Sequence, residues 1–212
     1  FLLNQLNLEN NVALITYTKN NQEQLKENII KKFGYYPNNI HVFGLFEFLY
    51  NFCYRPLQNK YPITGICFDH PSPYLKGFHH KDGRIYSNQI SRLLLAEKIN
   101  YLTRIERFFD YFYIDEVQDI AADDFDWLMS LKDLKIPVTL VGDFYQSTFV
   151  SSRRGNKGKA IYSSIENYKN QFDQNGFHFA ESKLIASHRC SKSVSHFIQE
   201  NLNIKSVFLL MI

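Results

Sequence analysis

Apolar positions fall into two kinds of run along this chain. Residues 12–17, 40–43, 108–114 and 137–141 are dense apolar or aromatic stretches that stop abruptly at polar residues. That is the pattern of strands buried on both faces of a parallel sheet. Between them the spacing switches to a helical period. Over residues 21–33 it puts Leu25, Ile29, Ile30 and Phe33 on one side, and Gly34 reads as the C-terminal cap. Helices are predicted likewise over 45–54, 121–132, 161–172 and 191–202, and over 88–107 with Ile90, Leu93, Leu94, Ile99 and Leu102 inward. Residues 1–8 read as the tail of a helix, and 177–185 and 207–212 as further strands. Strands alternating with helices predict an α/β fold, a parallel sheet flanked by helices.

The pattern lapses between residues 55 and 87, where Pro56, Pro62, Gly65, Pro71, Pro73, Gly77 and Gly83 interrupt any long element. This stretch is expected to form a small, loop-rich inserted lobe. It divides the chain into 1–54, the lobe 55–87, a second part of the main domain over 88–190, and a terminal segment 191–212 that begins a linker or a further domain. Cys67, His70, His79 and His80 fall in the lobe, but their spacing fits no zinc pattern.

Composition adds little chemistry. A 45% hydrophobic share supplies a sizeable core, and 19 Phe and 14 Tyr make it aromatic. A net charge of +3 is too small to argue for nucleic acid by itself. The cysteines number 3 at scattered spacings, which suits a reduced, cytoplasmic protein. Neither a secretory signal nor an apolar run of membrane-spanning length is evident.

The chemistry begins where the aromatic run 108–114 ends in Asp115-Glu116, with Gln118-Asp119 next. Carboxylates at the carboxyl end of a parallel strand sit where open α/β sheets bind ligands. Adjacent acids there serve to hold a metal and to polarise a water; the plainer alternative is an acidic turn that ends a strand. A second acid and glutamine, Asp143 and Gln146, close the run VTLVGDFYQSTF over residues 138–149. Asp143 reads equally as a residue capping the turn after the strand.

Taken in order, LITYTKN (14–20), YFYIDEVQD (111–119), VTLVGDFYQS (138–147) and SHRCS (187–191) resemble the UvrD/Rep-like branch of superfamily 1 helicases. The resemblance covers most of the chain outside the lobe and implies a RecA-like P-loop NTPase fold acting with ATP and Mg²⁺. By it, Asp115 holds Mg²⁺, Glu116 is the general base, Gln118 links the nucleotide and DNA sites, and Gln146 and Arg189 reach the γ-phosphate. Thr16, Thr18 and Lys19 fall where the family touches single-stranded DNA. Phe149 is a candidate base-stacking platform, and Arg153 and Arg154 are candidate backbone contacts in a basic loop. The family's tryptophan after the glutamine is missing, as is a clear second DNA motif around Phe43.

The phosphate cradle Gly-x-x-x-x-Gly-Lys-Ser/Thr is absent from these residues. The expectation is therefore a fragment, inactive alone, of an ATP-dependent DNA helicase or translocase whose cradle precedes Phe1. Its partners would be single-stranded or duplex DNA and a nuclease or other subunit, as in an anti-phage defence complex of the Gabija type. A DNA-stimulated ATPase acting as a sensor without unwinding uses the same residues. A metal-dependent nuclease built on Asp115, Glu116, Asp119, Asp123 and Asp124 is the third reading.

Overall fold

The structure, a computed structural model, describes residues 2–58, 63–69, 80–147, 151, 157–179 and 208–211. In chain order, a short helix α1 (Leu2–Gln5) precedes β1 (Val12–Thr16), α2 (Lys19–Phe33) and β2 (Ile40–Gly44). Helix α3 (Leu45–Glu47) then widens into a π-helix over Phe48–Tyr54. The lobe carries β3 (Gly65–Cys67), β4 (His80–Lys81) and β5 (Arg84–Tyr86). There follow α4 (Ile90–Ala96), α5 (Tyr101–Phe108), β6 (Tyr111–Ile114), α6 (Ala122–Ser130), β7 (Val138–Gly142), α7 (Ile165–Gln174), β8 (His178–Phe179) and β9 (Phe208–Met211).

The main sheet runs β2-β1-β6-β7-β9-β8. Its first four strands are parallel, with Val12 opposite both Ile40 and Tyr111, and Ile114 opposite Leu140. On the far side of β7 the direction reverses, since β9 pairs antiparallel with both β7 and β8. Residues 208–211 of the apolar run predicted at the end of the chain thus belong to this sheet. The lobe holds a separate small sheet, β3-β5-β4.

The period of two in each strand sorts side chains onto two cores. Val12, Leu14, Ile40, Val42 and Tyr113 pack under α1 and α2, against Leu6 and Ile29. Ala13, Ile15, Phe112, Ile114, Val138 and Leu140 face the other way, into a larger core with the remaining helices. Rings dominate that core, among them Phe48, Phe172 and the single tryptophan, Trp127 of α6, each 0% exposed. Layers on both sides explain why the strands read as continuous apolar runs.

Helix α2 ends at the glycine its sequence promised but starts at Lys19, two residues earlier than expected. Thr18 caps the start by accepting the Asn21 N–H, and Gly34, at φ +80°, closes the end by donating to the Ile30 carbonyl. Three further expectations need correcting. Ile30 is 44% exposed, so the buried stripe of α2 is narrower than predicted. The helix expected over 88–107 is two helices: Lys98 takes a left-handed turn at φ +50°, and Asn100 caps α5 by accepting the Thr103 N–H. The central strand starts at Tyr111, not at 108, because Phe108 still belongs to α5. The helix 191–202 and residues 180–185 of the predicted strand lie outside the described residues.

Candidate functional site

The site forms where the parallel strands end. Beyond β6, Asp115 continues the ladder by donating its N–H to the Ile15 carbonyl at 2.8 Å. Glu116 then turns the chain through a left-handed conformation, φ +57°. A non-glycine residue there costs on the order of 1–3 kcal/mol. A 3₁₀ turn, Val117–Asp119, follows at once and leads into α6.

Gln118, only 2% exposed, joins the two strand ends. Its amide Nε2 donates to Glu116 Oε2 at 2.6 Å. Its Oε1 accepts the Asp143 N–H at 3.1 Å, just past β7. This closeness depends on Gly142, where a Cβ would stand 2.4 Å from Gln118 Oε1 and 2.7 Å from Val117 Cγ1. Asp143 caps the next turn, its carboxylate accepting from the Tyr145 N–H at 3.0 Å and from Gln146 Nε2 at 2.8 Å.

Above these loops lies an open cleft of about 590 Å³, lined by Thr18, Asn20, Asn21, Glu116, Gln118, Asp119, Tyr145 and Gln146. The amino end of α2 forms one wall. That helix has no acid in its first turn, so its positive dipole end faces the cleft. The cleft thus sets a carboxylate, held by an amide, across from helix amides and two asparagines. Such an arrangement can take an anionic ligand and activate a water beside it.

Of the residues singled out in the sequence, Thr18, Glu116, Gln118 and Gln146 meet in this one cleft. Asp115 sits half-buried at the strand end beside Glu116, and Lys19 is exposed at the start of α2. Thr16 is 1% exposed, which takes it off any surface a nucleic acid could touch, and its hydroxyl has no hydrogen-bond partner among the described residues. Phe43 packs against Phe48, Phe52 and Phe109 as an ordinary core side chain. Phe149, Arg153, Arg154 and Arg189 lie outside the described residues.

The acids after the site turn are otherwise engaged. Asp124 is 0% exposed and accepts from Ser91 Oγ at 2.6 Å. Asp123 and Asp126 share the Lys157 ammonium. Among the described residues no three His, Cys, Asp or Glu side chains converge as a metal cluster. Cys53 and Cys67 are free thiols. Asn20, Asn21, Tyr145 and Gly142 were missed in the sequence. Asn20, Gly142 and Tyr145 had a signal, since they fall inside the motif stretches 14–20 and 138–147; Asn21 had none.

No family model, curated protein or solved structure matches this chain. The fold and site define an α/β protein with a four-stranded parallel core sheet flanked by helices and a polar cleft at its strand ends. No described helix is long and apolar enough to cross a membrane.

Proposed function

We propose that this chain carries the carboxylate half of a nucleotide-hydrolysing site in a RecA-like domain of an ATP-dependent DNA helicase or translocase of the UvrD/Rep-like kind. The observation that carries the reading is the joined pair of strand ends, Glu116 to Gln118 to Asp143, opening on one cleft with Gln146 and the amino end of α2. Residues from three of the sequence's four motifs, Thr18, Glu116 with Gln118, and Gln146, line it.

In this reading Glu116 is the general base. Gln118 occupies Oε2, which leaves Oε1 to take the proton of the attacking water. Gln146 orients the terminal phosphate from the β7 side, and Asn20, Asn21 and the α2 amides receive charge from the opposite wall. The donors suit Mg²⁺, a hard cation that keeps waters and needs one or two protein carboxylates when phosphates supply the rest. Asp115 is the residue to hold it, and the ion's part is to neutralise phosphate charge. Arg189 joins the same phosphate by resemblance. Thr18 and Lys19, with Phe149, Arg153 and Arg154, form the DNA-contacting set. Free thiols at Cys53 and Cys67 suit a cytoplasmic setting.

The test is Glu116→Gln in the full chain. ATP binding should persist while hydrolysis falls about 10²- to 10⁴-fold, the usual worth of a positioned base. Hydrolysis at the wild-type rate would remove Glu116 from the chemistry. A strand-displacement assay decides between a motor and a DNA-stimulated sensor that hydrolyses without unwinding.

A further inference from the structure

A second group of side chains, none of which lines the cleft, gathers at the β2 edge of the main sheet. His41 and Phe43 stand on β2, opposite Ala13 and Ile15 of β1, and so share the face of the larger core. Their rings form a continuous row. His41 stacks on Phe43 at 6.2 Å, Phe43 meets Phe52 at 6.3 Å, and Phe52 meets Phe108 at 5.7 Å. Phe109, buried, is the floor beneath them. His41 is exposed, Phe43 and Phe52 are half-buried, and Phe108 is 46% exposed. One exposed phenylalanine is ordinary, but a contiguous apolar patch is what marks an interaction surface.

Arg104 of α5 is set into this row. Its guanidinium lies 4.7 Å from the ring centres of both Phe52 and Phe108, in the corner between two rings that meet at 85°. Two cation–π contacts hold the group in place and leave its charge unneutralised. Among the described residues it has neither an ion pair nor a hydrogen bond, and its Nε is buried without a partner. The acids nearest to it in the chain are turned elsewhere: Glu106 accepts the Lys135 N–H at 2.8 Å, and Asp110 the Asn11 N–H at 2.7 Å. Exposed Arg107, three residues on, adds a charge of the same sign on the same side of the helix.

We infer that this patch docks a peptide segment of a partner protein in which an aromatic side chain stands beside a carboxylate. The peptide's ring extends the row at Phe108, and its carboxylate takes the forked donor edge of Arg104. The guanidinium is already oriented by its rings, so little freedom is lost on binding. Charge decides against nucleic acid here. A strand brings a phosphate with every nucleotide, whereas the two arginines stand among two acids, Glu106 and Asp110. One carboxylate suits that balance, and a run of phosphates does not. This docking needs no nucleotide in the cleft.

Fluorescence anisotropy on the full chain tests it with two dye-labelled peptides, Gly-Asp-Phe-Asp-Gly and its uncharged match Gly-Asn-Phe-Asn-Gly. The acidic peptide should bind about tenfold more tightly, as a charge-assisted hydrogen bond allows. Arg104→Gln should abolish that difference and leave the weaker binding of the uncharged peptide. Arg104→Lys, which keeps the charge without the fork, should recover only part of it. Phe108→Ala, at an exposed ring, should weaken both peptides alike. No binding, or equal binding of the two peptides by the unaltered chain, overturns the proposal without any variant having to fold. A difference that survives Arg104→Gln puts the carboxylate elsewhere and overturns it too. So does displacement of the acidic peptide by a dT oligonucleotide, which would make the patch a nucleic-acid surface.

Discussion

Single side chains hold this site in tension. Gly142 sits where any Cβ would drive into Gln118 Oε1. Gly142→Ala should therefore destabilise the fold by about 1–3 kcal/mol through overpacking. By pushing Gln118 off Glu116, it should also cut hydrolysis more than ATP binding. Denaturation and turnover measured on one sample check both. A variant as stable and active as wild type would mean that Gln118 has room to move.

Asp124 carries a different prediction. Burial raises its pKa from 3.8 to about 7 against the pull of Ser91, Ser151 and Lys157. Between those values the folded protein binds more protons than the unfolded one. Its stabilising share is complete below 3.8 and is lost as pH rises through about 7. The Tm of Asp124→Asn relative to wild type should thus climb from about pH 4 to about pH 7 and level off above that. A constant gap would mean that the group titrates normally. No pattern in the sequence marks this residue, because an acid in a helix's first turn is ordinary. Its hydrogen-bond partner, Ser91, is distant in the chain.

At the scale of elements, the strands were the legible part. Four parallel strands sit on the four apolar runs, because a strand covered on both faces has no polar positions to interrupt it. Ends were harder. One left-handed residue, Lys98, splits a helix that periodicity alone joined, and the π-helix over Phe48–Tyr54 has no period of its own in the sequence. In the site, Glu116, Gln118 and Gln146 came from motif order, whereas Asn20 and Asn21 came only with the position of α2 over the cleft. That position makes the α2 cap testable. Thr18→Ala removes the acceptor for the Asn21 N–H and should cost about 1 kcal/mol, read as a lower Tm. It should also weaken ligand binding, because the helix start would fray. A lost Tm with unchanged affinity would place the ligand elsewhere.

For the molecule as a whole, the question is whether the exposed start of α2 meets nucleic acid. Lys19 is its exposed cation, next to the cleft. If it contacts phosphate, Lys19→Ala should weaken single-stranded DNA binding alike on all sequences and reduce the salt slope by about one. An unchanged slope would exclude that contact. The turn from Glu116 leads into α6, and that helix carries the chain's lone indole. Trp127 is 0% exposed, with the Phe48 ring against it and no partner for its Nε1–H among the described residues. The protein therefore comes with its own fluorescent reporter in a dry, apolar setting. Its emission should lie toward the blue in the native state and move to the red on unfolding. Any reshaping of α6 when a nucleotide or a DNA strand arrives should be visible as a change in that glow, without an attached dye.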